Sequence, residues 1–337
     1  MTLKVLGVES TAHTFGVSVV GFSGGKFEKP SPENTRVLSN IVDKYPSSAQ
    51  GYIPRKLADH HSKSFKRLFA NALEVAGVRS CELDAVAYSF GPGIGHCLHV
   101  GFVAAQSLSE FLEIPLIPVN HALAHVEITR FFCGACNPLV VYVSGGNSQI
   151  MALDAGRYRV FGETLDIGVG NLLDQVGRFL ELDPPDALGV ERLALKGTKL
   201  LPLPYSVKGM SFAFSGLLTA LKKMRLETVE DKADACFSLQ ETAFSMLVEA
   251  SERCLCHSRN SEVVLCGGNA RSNRLKEMFS LMADEQGARF CVATHEFNGD
   301  NPGMIALTGL LMLRVGAVPA EKAPQQRIRI DSVKIGW

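Results

Sequence analysis

The 337-residue sequence predicts an α/β fold in two lobes. Three observations predict it: an alternating strand pair at the start, a strand–helix–strand crossover near residue 100, and two apolar strands that each end in Gly-Gly-Asn. The length suits two lobes, at about 150 residues per domain.

Each element follows in order. Leu3, Val5 and Gly7, then Phe15, Val17 and Val19, alternate on either side of a polar Glu9–Thr14 turn, which reads as a hairpin. The polar stretch 24–50, with Pro30, Pro32 and Pro46, reads as loop. Leu57, Phe65, Leu68, Phe69 and Leu73 fall near helical spacing and predict a helix over 53–76. Residues 84–90 read as a buried strand, 100–112 as a helix and 114–119 as a second strand, a parallel crossover unit. The intervening Gly91-Pro92-Gly93-Ile94-Gly95 lacks the last glycine of a dinucleotide fingerprint, since His96 and Leu98 stand where it would be, and reads as a tight turn. Further on, Val140–Asn147 echoes Val263–Asn269. Glycines at a strand end let backbone amides approach a phosphate, so the pair favours a nucleotide cleft. Helix-rich segments lie over 170–182, 190–197 and 228–257.

Composition excludes several classes. With 46% hydrophobic and 20% charged residues the chain can bury a full core. Thirty-four basic residues balance 34 acidic ones, which excludes binding of a phosphate backbone by bulk positive charge. The start reaches Glu9 too soon for a signal-peptide core, and the apolar run Met304–Leu313 is closed by Arg314, short of the ~20 residues of a membrane span. Nine scattered cysteines, an odd number, read as reduced thiols. The expectation is a soluble cytoplasmic protein.

Asn120-His121-Ala122-Leu123-Ala124-His125 is the sharpest chemical feature. Positions i and i+4 share a helix face, so both imidazoles can reach one ion. The pair is not a metallopeptidase signature, because Ala122 stands where the general-base glutamate belongs. His121 and His125 with Cys133 and Cys136 make a competing structural zinc set, disfavoured because a chain with this much core needs no such staple. Asp300, among Gly299, Asn301, Pro302 and Gly303, is a third candidate ligand, although an Asx turn would explain it equally well. Two imidazoles, one carboxylate and open positions would suit iron(II) or catalytic zinc.

A long series of ordered motifs then resembles one family: Glu9–Thr14, Pro54-Arg55 with His60-His61, Gly91-Pro92-Gly93, His121 with His125, Tyr142–Asn147, Phe161–Asp166, Pro204–Met210, Phe237–Thr242 and Asp300-Asn301. The match runs nearly end to end. It resembles the catalytic subunit of tRNA threonylcarbamoyladenosine synthesis, the TsaD / O-sialoglycoprotein-endopeptidase-like family. The Ala12-His13 form of the first motif resembles its archaeal and eukaryotic KEOPS branch.

The resemblance implies an actin-like, sugar-kinase-like fold with nucleotide in an interlobe cleft. The first lobe would span 1–136 with 304–337 packed back on it, and the second 137–303. The implied activity transfers threonylcarbamoyl from threonylcarbamoyl-AMP to N6 of adenosine 37 in tRNAs reading ANN codons. By the same resemblance His121, His125 and Asp300 match the ligands of one Fe2+ or Zn2+, with Tyr142 as a fourth. Gly145, Gly146 and Asn147 match the phosphate-side turn, Asp174 and Glu191 the ribose contacts, and Gly267-Gly268 the turn beside adenine; Ser144, Ser272 and Asn273 complete the set for an adenine nucleotide. Implied partners are tRNA, a small kinase-like ATPase and a small dimerising subunit, with no membrane; the implied location is the cytoplasm, and also the nucleus for a eukaryotic source. Lys56, Ala187, Ser211, Ala213, Asn269 and Ser272 depart from the family's usual residues, so altered nucleotide contacts are expected.

No Ser-His-Asp or Cys-His nucleophile is evident, which agrees with a donor whose AMP is already a good leaving group. Glu9 and His13 are candidate bases for the attacking amine. Two other functions share the superfold: a sugar-kinase-like phosphotransferase and a non-catalytic nucleotide-binding scaffold. Basic clusters at Arg55, Lys56, Lys63, Lys66 and Arg67, and at Lys196, Lys199 and Lys208, are candidate tRNA contacts.

Overall fold

The computed structural model describes residues 2–46 and 51–337. The chain divides into two compact units. Unit 1 comprises Met1–Gly134, Ala155–Arg157 and Ala293–Trp337, and unit 2 comprises Ala135–Asp154 and Tyr158–Val292.

In unit 1 the alternating segments form the antiparallel pair β1 (Thr2–Glu9) and β2 (Thr14–Ser23), with Leu6 opposite Val19. Outside β2 lies β3 (Thr35–Lys44), inside the stretch expected to be loop. The expectation fails because Pro30, Pro32 and Pro46 all fall outside the strand. The intervening Arg36–Val42 is β-branched enough to pair at an edge.

Helix α1 (Pro54–Ala76) starts with proline in its first turn and ends at Gly77 in the left-handed conformation. It buries Leu57, His61, Ser64, Leu68 and Ala72 against β2, β3 and the next helix. The crossover forms as β4 (Ala85–Gly91), α2 (Gly95–Leu112) and β5 (Leu116–Asn120), with α2 starting five residues before the expected 100. Helix α3 (His121–Cys133) follows β5 without a break. The sheet order is β3-β2-β1-β4-β5, with β4 parallel to β1 and to β5.

Unit 2 contains β6 (Leu139–Val143), β7 (Ser148–Asp154), β8 (Arg157–Glu163), α4 (Val169–Phe179) and α5 (Ala187–Ala194). A short ribbon, β9 (Val207–Lys208) with β10 (Ser211–Phe212), leads to α6 (Ser215–Lys222) and the long α7 (Val229–Ser258). The unit closes with β11 (Glu262–Cys266), α8 (Asn273–Glu285) and β12 (Arg289–Val292). Its sheet order is β12-β11-β6-β7-β8. Renumbered from its own first strand, this is the order of the first sheet, so the two units repeat one topology. The Gly-Gly-Asn echo has a different origin. Strands β6 and β11 are parallel neighbours, Tyr142 opposite Cys266, which sets both glycine turns at the same edge of one sheet.

The chain returns to unit 1 as α9 (His295–Asn298) and α10 (Pro302–Val315). Met304, Ile305, Ala306, Leu307 and Leu310 of α10 share a core with Leu3, Val5, Ala85, Ala87, Ile117 and Val119. Each large apolar side chain buried there contributes about 1.5–3 kcal/mol. The contact is close because Gly7 permits it: a Cβ there would stand 2.5 Å from the Ala306 nitrogen and the Pro302 carbonyl. Among the described residues no helix is long and apolar enough to cross a membrane.

Candidate metal centre and nucleotide-binding turns

Unit 1 carries the first cluster. The Asn120 side chain caps α3, accepting from the Leu123 amide at 3.0 Å, and so fixes where the helix begins. His121 and His125 then lie one turn apart, their rings 4.7 Å between centroids and nearly perpendicular. Asp300 is held just ahead of α10. Asn301 caps that helix by accepting from Met304, while its Nδ2 donates to the Phe297 and Gly299 carbonyls. Asp300 Oδ1 stands 3.5 Å from His121 Nε2 and 3.2 Å from His125 Nε2.

One atom from each of these three residues can be chosen so that all lie within 4.8 Å of one another, the only such group among the described residues. The donor set of two imidazole nitrogens and one carboxylate oxygen fits a divalent transition metal with open positions. The competing zinc set is not assembled. Cys133 is disulfide-bonded, which corrects the expectation of a thiol there, while Cys97, Cys236, Cys254 and Cys266 are buried free thiols.

Behind His121 lies Glu9, fully buried. Its carboxylate accepts from the Thr11 amide at 2.7 Å, from Thr11 Oγ1 at 2.5 Å and from His121 Nδ1 at 3.0 Å. A ligating histidine characteristically donates its other nitrogen to a carboxylate, which sets its tautomer and aims the free nitrogen. Burial works against charge on the His121 ring, but the negative charge of Glu9, with the hydrogen bonds that the ring donates to Asp300 and Glu9, overrides it and pushes the imidazole up to about 10. For His125 burial prevails and lowers it. Asp300 is half-buried, which opposes its charge, yet the two histidines hold its carboxyl well below the usual carboxylate range.

Unit 2 carries the second cluster. After β6, Ser144 Oγ accepts from the Asn147 amide at 3.0 Å, and the Ser144 amide donates to the Asn147 carbonyl at 2.8 Å. These bonds close a tight turn and leave Gly145 and Gly146 exposed at its tip. The Asn147 amide is thereby spent, so the amides of the two glycines are the ones available to an anion. The start of α4 leans on the same turn, with the Gly170 and Asn171 amides donating to the Ser144 and Gly145 carbonyls.

Across the sheet edge, Gly267 has φ +98, and a Cβ there would meet the Val143 carbonyl at 2.6 Å. Gly268 opens a short 3-10 turn, and the Asn269 amide group lies over Gly170, joining the two turns. Glu191 on α5 accepts from Ser272 Oγ at 3.2 Å and from the Asn273 amide at 3.0 Å. Asp174 on α4 accepts from the Ala187 amide at 3.0 Å, while Ala187 packs against the unit-2 core. Ser144, Gly145, Gly146 and Asn147, then Gly267 and Gly268, then Glu191 with Ser272 and Asn273, thus form connected neighbourhoods within one unit. Tyr142 is buried in β6.

Residues 36–307 match the sequence profile described as TsaD, tRNA N6-adenosine threonylcarbamoyltransferase. A protein of that name from Ignicoccus hospitalis is 46% identical over 99% of this chain and 100% of its own length. Another, from Thermococcus kodakarensis, is 44% identical over 98% and 99%. This chain belongs to the tRNA N6-adenosine threonylcarbamoyltransferase family.

As a threonylcarbamoyltransferase it is a transferase of tRNA processing. A Methanocaldococcus jannaschii relative described as a probable bifunctional tRNA threonylcarbamoyladenosine biosynthesis protein is 46% identical, over 98% of this chain and 60% of its own length. Among solved structures, Thermococcus kodakarensis HypF superposes with a TM-score of 0.59 at 14% identity, over 93% of this chain and 48% of its own. The 2-hydroxyglutaryl-CoA dehydratase component A of Acidaminococcus fermentans gives 0.50 at 14%, over 91% and 97%. At those identities the likeness is one of fold, which is the α/β, actin-like ATPase type.

Sequence reasoning missed what Glu9 and Thr11 do. Glu9 is offered there as a base, whereas its carboxylate is engaged by the three donors named above. The signal was present in the Glu9–Thr14 motif, but its partner lies 112 residues away.

Proposed function

We propose that the chain transfers the threonylcarbamoyl group of threonylcarbamoyl-AMP to N6 of adenosine 37 in tRNAs reading ANN codons. The observation that supports this reading most directly is the convergence of His121, His125 and Asp300, with Glu9 set behind His121. A divalent Fe2+ or Zn2+ held by these three would supply Lewis acidity toward the carbamoyl oxygen, worth several kcal/mol.

The chain's own residues do the rest by positioning. The Gly145 and Gly146 amides receive the leaving phosphate, and Gly267-Gly268 pass beside adenine. Glu191, Asp174, Ser272 and Asn273 hold the ribose side. Glu191 keeps one oxygen for a hydroxyl while the other is fixed by Ser272 and Asn273. With both Glu9 oxygens engaged, His13 is the remaining candidate to take the amine proton.

The partner reading has its own support. The M. jannaschii relative carries a further 40% of chain beyond the match, and its description calls it a probable bifunctional protein. We take this as pointing to a kinase-like ATPase activity at work beside the transferase, and propose the small kinase-like ATPase and the dimerising subunit of the KEOPS assembly as partners, in the cytoplasm.

The test is mass analysis of tRNA nucleosides after incubation of the chain with partners, threonine, bicarbonate, ATP and Zn2+ or Fe2+. Threonylcarbamoyladenosine is expected with the wild type and not with His121→Ala or His125→Ala. Full product from His125→Ala would leave a scaffold role; ATP turnover stimulated by a small polyol would point to a phosphotransferase.

A further inference from the structure

His60 and His61 stand outside the residues that would touch metal or nucleotide, yet they form an ordered chain within unit 1. His61 is completely buried, with its ring stacked on Phe15 at 4.9 Å between centroids. Its Nε2 lies 2.9 Å from the Ala12 carbonyl. A carbonyl only accepts, so Nε2 carries the proton. Burial pushes the ring down to about 4, which keeps it neutral and leaves Nδ1 bare. His60 Nδ1 is 3.3 Å from that bare nitrogen and donates to it, while His60 Nε2 is 3.3 Å from Asp43 Oδ1. Asp43 is braced in turn by Ser64 at 2.8 Å and by Arg67. Two directions follow: His60 Nδ1 donates to His61 Nδ1, and His61 Nε2 donates to the Ala12 carbonyl.

The end of this chain is the turn that orients His121. Three consecutive carbonyls of that turn are held by three different donors. The Ile94 amide takes Thr11 at 2.8 Å, His61 takes Ala12, and the Tyr45 amide takes His13 at 2.9 Å. Only the middle donor is a side chain. Thr11, next to the anchored Ala12, bonds Glu9 and stands 3.3 Å from His121 Nδ1.

We propose that His61, braced by His60 and Asp43, is a positioning residue for the metal centre: it locks the Glu9–Thr14 turn so that Glu9 and Thr11 hold His121 with Nε2 facing Asp300. The inference rests on the metal reading above and adds to it a part of the chain that touches neither metal nor substrate.

Co2+ is the probe, because its visible absorption reports ligand geometry and its titration reports affinity. The experiment uses the full chain with Co2+ alone. His61→Phe keeps the stacked ring and removes the donor. It is expected to weaken Co2+ at least tenfold and to shift its absorption bands. His61→Gln restores an N–H for the Ala12 carbonyl and is expected to return affinity to within about threefold of wild type. His60→Ala, at a half-buried position that spares the core, is expected to cost about threefold, and it decides the matter should His61→Phe fail to fold. Wild-type affinity and spectrum in His61→Phe, or in His60→Ala if that is the variant that decides, would overturn the proposal. So would a His61→Gln as impaired as His61→Phe. Co2+ binding that survives His125→Ala overturns the metal reading itself, and this inference with it.

Discussion

A buried carboxylate such as Glu9 is costly unless donors surround it, and three donors do. Glutamine keeps the shape but turns an NH2 toward groups that themselves donate, and it removes the charge that sets the His121 tautomer. We therefore expect Glu9→Gln to lower Zn2+ affinity about 10–100-fold, the usual cost of losing a carboxylate behind a ligating histidine. Competition titration against a chelator measures this, with circular dichroism to verify folding. An unchanged affinity would mean that Glu9 does not orient the ring. The histidines themselves were legible from the sequence, since a four-residue spacing on a helix is local information. Asp300 was not legible from spacing, because only the packing of α10 on β1 returns the chain to the site; the resemblance supplied it. Glu9 was read as a base because a sequence shows a carboxylate's identity without showing who already bonds it.

At the scale of the element, one contact in each unit fixes where a helix lies. Helix α10 delivers Asp300, and it lies on β1 only because Gly7 has no side chain. Gly7→Ala forces the helix outward, since both atoms it meets at 2.5 Å are backbone. Overpacking of this kind costs about 1–3 kcal/mol. The expected result is a lower melting temperature together with weakened metal binding. A variant that melts lower but binds Zn2+ as the wild type does would separate the packing of α10 from the placing of Asp300. In unit 2 the loop before α4 is tied to α6 by Asp166, which accepts from the Ile167, Phe214 and Ser215 amides at 2.6, 2.8 and 2.9 Å. Partial burial opposes the charge, but the Ser215 side chain and these amides outweigh it and hold the carboxyl below its ordinary value. A depressed carboxyl stabilises the fold above its unfolded value of about 3.9 and loses that contribution as pH falls through the folded value. Asp166→Asn should therefore cost about 1 kcal/mol at neutral pH, a figure kept small because the side chain is exposed and its charge is screened. The difference from wild type should vanish in acid. Urea melts from pH 7 downward test it, and a difference constant with pH would assign the loss to geometry rather than charge.

At the scale of the whole molecule, the repeated sheet order escaped sequence reading because the two units share a topology and not a residue pattern. The echo that was visible, Gly-Gly-Asn twice, came from neighbouring strands of one sheet. Strand β3 was hidden by the prolines around it, and in unit 2 the segments of α4, α5 and α7 were read as helical whereas α6 and α8 were not. Charge is the property read most directly, and it sets how the molecule can meet tRNA. Thirty-four basic residues against 34 acidic ones leave no bulk attraction for a polyanion. On α1, Arg55, Lys56, Lys63 and Lys66 are exposed, but the fifth member of that cluster, Arg67, is paired with Asp43. The second cluster, Lys196, Lys199 and Lys208, is exposed as well. These two clusters neutralise at most about seven phosphates, and each contributes about −0.9 to the slope of log K against log salt on a duplex. The isolated chain is therefore expected to bind tRNA weakly, with a slope no steeper than about −6. The full assembly should bind more tightly and with a steeper slope, because its other subunits add phosphate contacts. Filter binding across a salt series, with and without those subunits, measures both quantities. Equal affinity and equal slope would place the entire tRNA surface on this chain, and the neutral balance would then have to conceal a basic face formed by groups beyond these two clusters.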